Sequence, residues 1–416
     1  MRVLFGSLIT LISSLPLFAQ TPARLSLAEV VADAIATNPE IAAAQQRYDA
    51  ARQRPAQERS RPDPTVSAGY NASRYPWPGA GLGTEPIANV GVTVSQELPN
   101  PGKLSLRASI ASRDADAEFP PIEAARLGVV ARVSQAYYRL AHAYAAGDVL
   151  TRNRYLLVTL LEVSENRYTV GQAAQQDVIK AQTQLTILEL QLERVRQERA
   201  TGEGELNTLL SRPPASPLAQ PDDLLLTPFD LSLDSLIAMA AEHAPMLRRD
   251  RIMVDRAQLA VDAARKEYTP DFAVTGGYYY MGALPAMYEL RVDVTLPLRR
   301  ARRAAAVAEQ LRAVEQARST YDSARLTLQN RIQEDFQMAA TASRLARLYR
   351  EKVLPQARLA LESSLASYQT GRVDFLSVLT NFGTVLEYEI TYVDELGAFR
   401  AALSRLEEMT GSPLTY

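Results

Sequence analysis

The sequence predicts a mainly α-helical chain with a small antiparallel β part, built as two copies of one unit: a helix, two strands and a long helical hairpin. Three observations indicate this fold. Residues recur about 200 positions apart, the apolar period changes from helical to alternating and back within each half, and helical runs approach about 70 residues. Duplicated units of this kind usually bury their apolar faces only when they are set beside copies of themselves.

The repetition is in register across the two halves. We therefore divide the chain into a first structural repeat over 20–210, a proline-rich connector over 211–230 and a second structural repeat over 231–416. The residue pairs that define this division are Leu25 with Leu231, Pro39 with Pro245, Pro64 with Pro270, Tyr168 with Tyr368, Gly171 with Gly371, and Pro213 with Pro413.

Residues 1–19 have the features of a secretory signal peptide. Arg2 precedes an apolar run that ends near Ala19 and is too short to span a membrane. The rest of the sequence has no apolar run of spanning length, so no transmembrane helix is expected. Cysteine is absent, which excludes disulfides and thiol catalysis, and a net charge of -2 does not suggest nucleic-acid binding. We expect protein or lipid partners.

The first element of the first repeat is predicted to be one helix, followed by two strands. The helical pattern runs from Ala28 to about Arg54 and ends where several prolines follow. In the corresponding strands of the second repeat, apolar residues alternate with Glu289, Arg291 and Asp293. An isolated strand of this kind would suit a soluble sandwich, but in an exported chain it favours a barrel wall with these charges facing a wet lumen. We place the run Tyr278-Tyr279-Tyr280 in an aromatic girdle.

Each strand pair is followed by a proline and a helical run of about 70 residues, long enough for a rod of about 100 Å. A tight turn at Gly171 or Gly371 leads into a return helix, from about 177 to 210 and from 375 to 409. Because proline removes a backbone donor, Pro120-Pro121 predicts a kink or break near Phe119, with no counterpart at Thr320-Tyr321.

Four strands per chain cannot form an isolated sheet in lipid, since the edge strands would lack hydrogen-bond partners. Two chains would give eight strands and a filled interior, whereas three would give twelve strands and room for a channel. The predicted assembly is therefore a trimeric α-barrel joined to a 12-stranded transmembrane β-barrel.

The order of elements and the two tip sequences resemble the TolC family of outer-membrane efflux proteins. The tips are Tyr168-Thr169-Val170-Gly171 and Tyr368-Gln369-Thr370-Gly371, and the run from Asp177 to Gln182 follows the first of them. The resemblance covers 20–416. The segment from Val94 to Leu104 resembles the heavy-metal and cation efflux branch of that family.

This resemblance implies an exit duct in the outer membrane of a Gram-negative bacterium, with a long periplasmic extension. The duct is expected to be a homotrimer in outer-membrane lipid that binds a periplasmic adaptor (membrane fusion) protein and an inner-membrane pump of the RND or ABC type. It would conduct passively what the pump delivers. A duct for type I protein secretion has the same architecture and stays open as an alternative, as does a soluble periplasmic coiled-coil scaffold.

The resemblance also assigns roles to residues at the tips. It implies a closing hydrogen bond between Asp177 and Tyr368, reinforced by Arg372, although Asp177 could instead cap its helix. Where the family has carboxylates in the second tip, this chain has Ser377 and Thr380, so Asp374 is the acidic candidate at the entrance. The residues expected to dock the adaptor are Val170, Gly171, Thr370 and Gly371.

The sequence gives little support for an enzymatic function. Its two histidines, His142 and His243, are far apart in helical stretches, and no acid pair or phosphate-binding glycine loop is evident. We therefore expect no catalytic residues, no metal site and no cofactor.

Overall fold

The computed structural model describes residues 24–73, 77 and 79–414, so the predicted signal peptide over 1–19 lies outside the described residues. The described residues form eleven α-helices, one π-helical turn and a four-stranded antiparallel sheet. The predicted class, mainly α with a small antiparallel β part, is confirmed. None of the described helices has both the length and the apolar character needed to cross a membrane.

The described part of the first half of the chain forms six helices and two strands. They are α1 (Leu27–Thr37), α2 (Pro39–Ala51), α3 (Arg54–Arg59), β1 (Thr65–Asn71), β2 (Asn89–Leu98), α4 (Pro101–Ala117), α5 (Pro120–Thr169) and α6 (Gln175–Leu209). The single helix predicted over 28–54 is wrong, because α1 ends before Pro39. There the Asn38 side chain accepts a hydrogen bond of 2.9 Å from the Glu40 amide and begins a new helix.

The second half repeats this order. Its elements are α7 (Leu233–His243), α8 (Pro245–Lys266), β3 (Asp271–Tyr280), β4 (Met287–Thr295), α9 (Arg300–Leu348), a π-helical turn (Tyr349–Val353), α10 (Leu354–Gln369) and α11 (Phe375–Thr410). Sequence analysis did not foresee the π-helical turn. It ends two residues before Pro355, whose ring and missing N–H disturb the regular hydrogen bonding of the preceding turn.

The long helix of the first half is interrupted where the prolines predicted it. Helix α4 ends at Ala117 and α5 begins at Pro120, so the break near Phe119 is confirmed. Helix α9 continues through Thr320-Tyr321 without interruption, as expected. The two halves therefore share a plan but differ in where their rods bend.

The long hairpins pack around one apolar core formed by α5, α6, α10 and α11. Its fully buried residues include Leu157, Leu188 and Phe382. A second core joins α1 to α5 and α6, and a third joins α7 to α9 and α11. The Tyr137 hydroxyl donates a hydrogen bond of 2.7 Å to the Leu25 carbonyl. Burial raises the pKa of Tyr137 to about 12, so this donor is held in its neutral form.

The four strands lie in the order β1-β2-β3-β4, each antiparallel to its neighbour. Strands β2 and β3 pair along their length and join the two halves of the chain. This arrangement leaves β1 and β4 at the two edges of the sheet within the chain. All four helical connections leave from the same end of the sheet, so the hairpins extend away from it.

Candidate functional site

The register of the sheet separates polar from apolar residues on its two faces. Paired residues share a face, and the pairing is continuous from one edge to the other. One row of paired residues is polar or small, and the adjacent row is largely apolar: Ser67, Thr93, Gly277 and Glu289 form the first, and Ala68, Val92, Tyr278 and Tyr288 form the second.

The apolar face is exposed on all four strands of the sheet. Tyr288 is 78% exposed and Leu290 is 81% exposed, both on edge strand β4. Val92 at the centre of the sheet is 47% exposed. An apolar surface of this extent is matched to lipid, and in lipid the open edges of β1 and β4 require further strands.

The three charged residues predicted for the lumen lie on the polar face of β4. The Arg291 side chain donates to Asp293 (Nε to Oδ2, 3.1 Å) and to Glu289 (Nη1 to Oε1, 3.2 Å). Thr275, which pairs with Arg291, donates a hydrogen bond of 3.0 Å to the Ser95 hydroxyl. Arg291 therefore joins the two carboxylates of β4, and the formal charge of these three residues is one negative.

Sequence analysis placed Tyr279 wrongly, in the aromatic girdle with its neighbours. Its register position puts it on the polar face, where its hydroxyl donates to Glu289. The ring lies across Gly91, and a Cβ added to Gly91 would come within 2.1 Å of it. The alternation of a strand already implied this: Tyr278 and Tyr280 share a face, and Tyr279 must take the other.

The two helical tips have the same backbone geometry. Gly171 has a φ of +71° and Gly371 a φ of +76°, a left-handed conformation that favours glycine. Each glycine amide donates a hydrogen bond of 2.9 Å to the carbonyl of the tyrosine three residues earlier, Tyr168 or Tyr368. Val170 is 66% exposed beside the first glycine. The two tips thus share one glycine-dependent turn, with Val170 exposed on the first of them.

The predicted hydrogen bond between Asp177 and Tyr368 is not formed within the chain. The Tyr368 hydroxyl is buried and has no hydrogen-bond partner in the part of the chain that the structure describes. Its ring is held instead between Phe375, at 5.4 Å between centroids, and the guanidinium of Arg167, at 4.6 Å. Burial raises the pKa of Tyr368, and the nearby negative charge of Asp177 raises it further.

Arg167 is the tip residue that sequence analysis missed. It lies at the end of α5, and its Nη1 donates to the carbonyl of Tyr368 at the end of α10. Its Nη2 donates to the Gln172 carbonyl at 3.3 Å. One side chain therefore joins the two hairpins of the chain. The equivalent residue of the second repeat is Ser367, so the duplication gave no signal for this contact.

The remaining gate candidates have local roles in the structure. Asp374 caps α11, accepting a hydrogen bond of 3.1 Å from the Ser377 amide, and hydrogen bonds from Ser377 lower the pKa of Asp374. Asp177 lies in the first turn of α6, but the capping position belongs to Ala174. Arg372 is exposed at the turn.

Within the described ranges, no group of three or more His, Cys, Asp or Glu side chains is arranged to hold a metal ion. His142 pairs with Asp394 across α5 and α11, at 2.7 Å from Nε2 to Oδ1. His243 lies in the last turn of α7. The two histidines are therefore in separate surroundings.

An amphipathic sheet with two open edges, extended by two long helical hairpins, fits the wall of a membrane channel that further strands would complete. The chain belongs to the outer membrane efflux protein family, which it matches over residues 30–212 and 236–412. It is thus an outer-membrane efflux duct with a periplasmic helical extension, and the soluble-scaffold alternative is wrong.

Individual relatives have low sequence identity to this chain, and solved structures share its fold. The chain is 22% identical to the cobalt-zinc-cadmium resistance protein CzcC of Cupriavidus metallidurans over 312 residues, which cover 74% of each protein. Two solved structures are similar in fold. The outer-membrane channel OprN has a TM-score of 0.78 at 16% identity, covering 93% of this chain and 90% of that one. The outer membrane protein VceC of Vibrio cholerae has a TM-score of 0.77 at 18% identity, covering 94% and 97%.

Proposed function

We propose that the protein is the passive exit duct of a tripartite efflux system and that it works as a homotrimer. One observation carries the proposal: the sheet has one lipid-compatible face, one polar face and an open edge at each side. Three copies would supply twelve strands and enclose the polar faces around water. The helical hairpins of the three copies would continue the wall into the periplasm.

At the seam between copies, β4 of one chain is expected to pair edge to edge with β1 of the next. The polar faces of the two strands would then lie on the same side of the joined sheet. Within one chain β1 and β4 are three strand spacings apart, about 14 Å, which is too far for a disulfide. Because the chain has no cysteine of its own, any disulfide must form between introduced cysteines. A disulfide between one cysteine on β1 and one on β4 therefore reports the seam between two copies. We expect Ser67→Cys to form a disulfide-linked ladder with a cysteine at Glu289, Arg291 or Asp293.

The matched controls are cysteines at Tyr288, Leu290 and Val292, which share the strand but face lipid. These should stay unlinked to Ser67→Cys, since a disulfide needs side chains on the same face. Non-reducing gels of detergent-purified protein give the readout. Equal cross-linking of both sets, or a protein that stays monomeric, would contradict the proposed closure.

At the tips we propose a gate and a docking surface. Asp177, Tyr368, Arg372 and Asp374 would control the opening, now with Arg167 as the link that the structure supports. Val170, Gly171, Thr370 and Gly371 would contact a periplasmic adaptor, which connects the duct to an inner-membrane pump. The pump would supply the energy, and the duct itself would carry out no catalysis.

We propose divalent metal cations as the transported class. The similarity to CzcC supports this, as does the net negative charge of Glu289, Arg291 and Asp293 on the polar face. Charged rings in a pore bias permeation toward ions of opposite sign. The tips contribute less to this selection, because Ser377 and Thr380 stand where related tips often have carboxylates.

Removing Arg291 should make the pore more cation-selective. Arg291→Ala removes the one positive charge of this group, so its formal charge changes from one negative to two negative per copy. Glu289 and Asp293 then have no shared counter-ion. We expect the reversal potential in a KCl gradient across a planar bilayer to shift toward that of an ideal cation pore. Arg318→Ala, on the exposed surface of α9, is the control and should leave it unchanged. An unchanged potential in Arg291→Ala would place these residues outside the pore.

A further inference from the structure

The segment between β4 and α9 exposes two leucines at the end of the sheet nearest the helices. Leu296 is 61% exposed and Leu298 is 80% exposed, among the most exposed large apolar residues described. Leu296 continues the alternation of Val292 and Val294, which lie on the apolar face. The apolar band of the sheet is therefore extended by one more row toward the helices.

Three arginines come immediately after these leucines and have no counter-charge of their own. Arg299, Arg300 and Arg302 are exposed, and none has an ion-pair partner among the residues that the structure describes. They stand at the amino-terminal end of α9, whose first turn contains no acidic residue. Positive charge at that end of a helix opposes the helix dipole, so the fold alone does not favour it.

The acidic groups nearby are already engaged. Lys103, only 4% exposed, forms ion pairs with Asp271 at 2.6 Å and with Glu267 at 3.3 Å. The next arginine along the helix, Arg303, donates from Nε to the Glu267 carbonyl at 2.7 Å. Arg299, Arg300 and Arg302 are thus left as a separate, solvent-facing positive group.

The first repeat has no equivalent of this basic group. Pro99 and Pro297 occupy the same position after their strands, and this alignment sets Pro101, Gly102 and Leu104 opposite the three arginines. Both repeats form a long helix here. The arginines are therefore not needed to build the shared unit, and their clustering calls for a partner outside the chain.

We propose that Leu296, Leu298 and the three arginines form a binding surface for anionic phospholipid in the membrane leaflet nearest the helices. The inference rests on the proposed function, because it takes the apolar face of the sheet as the lipid face. The leucines enter the acyl region at the edge of that band, and the guanidinium groups bind headgroup phosphates, as basic residues do at membrane interfaces. Strand β4 has 9 residues, close to the length that spans a bilayer, so its end reaches the headgroups.

The test is lipid selection by the purified trimer. Protein in detergent is equilibrated with equal amounts of dioleoyl phosphatidylglycerol and dioleoyl phosphatidylcholine, and the lipid retained after gel filtration is quantified by mass spectrometry. We expect enrichment of phosphatidylglycerol by the wild type. In the variant Arg299→Gln, Arg300→Gln, Arg302→Gln this enrichment should fall by about tenfold or more. It should also disappear in about 1 M salt, where charges are screened.

The control variant Arg312→Gln, Arg318→Gln, Arg325→Gln removes the same charge from the same helix, farther from the sheet, and should keep the enrichment. The single variant Arg302→Gln, expected to lose about fivefold, tests the surface if the triple variant does not assemble. Inorganic phosphate should not displace the lipid; displacement would show a site for free anions instead. A conducting trimer with unchanged selection in the triple variant overturns this inference alone, whereas wild type that neither trimerises nor conducts contradicts the proposed duct.

Discussion

Replacing both tip glycines with leucine is expected to abolish efflux while trimers persist. Gly171 has no atom within 4 Å of an added Cβ, and the nearest atom to one at Gly371 is Arg167 Nη2 at 3.5 Å. The new side chains would therefore project into the space that a docked adaptor would occupy. The left-handed backbone adds about 1–2 kcal/mol of strain at each position, which the large core of the hairpins should tolerate. The readout is the metal resistance of a bacterial strain that lacks the native duct and carries the variant instead.

The variant Gly171→Asn, Gly371→Asn separates bulk from backbone strain. Asparagine adopts the left-handed conformation more readily than leucine and is less bulky and more polar. We expect it to retain most of the efflux. Cross-linking of adaptor to tip should fall in the leucine variant only, with the same amount of trimer on gels. Normal resistance in the leucine variant would argue against docking at this turn.

Arg167→Ala is expected to raise the resting conductance of the duct. The side chain joins the two hairpins through the Tyr368 carbonyl and lies 4.6 Å from the centre of its ring. A hydrogen bond from a charged group contributes about 1.5–3 kcal/mol. A total loss of about 1.4 kcal/mol already changes an equilibrium about tenfold. Single-channel recording in planar bilayers should show open-state occupancy about tenfold higher or more.

Arg154→Ala is the matched control, since Arg154 is also on α5 but pairs with Glu189 within one hairpin. Its conductance should equal that of the wild type. The double variant Asp177→Ala, Tyr368→Phe tests the hydrogen bond between these two residues that was predicted from the sequence. It should raise conductance only if a neighbouring copy supplies a partner for the buried Tyr368 hydroxyl. An unchanged Arg167→Ala conductance would show that this link does not restrain the tips.

Much of the fold could be predicted from the sequence because its signals are local and occur twice. The break at Phe119 followed from two prolines, and the turns at Gly171 and Gly371 followed from glycine at the end of a helical run. The division at Pro39 was missed, although proline cannot continue a helix, because the apolar pattern on either side looked continuous. The π-helical turn before Pro355 was missed for a related reason: proline marks a disturbance but does not specify its form.

The sequence by itself determined the duplicated plan and the two-faced strands, because period and composition act within a few residues. Only the tertiary structure decided which groups meet. It set Tyr279 across Gly91 on the polar face, and it brought Arg167 to Tyr368 across 201 positions of the chain. It also left the Tyr368 hydroxyl without a hydrogen bond to any residue that the structure describes. Such contacts depend on strand register and on how the hairpins pack, which arise from the summed interactions of the whole chain.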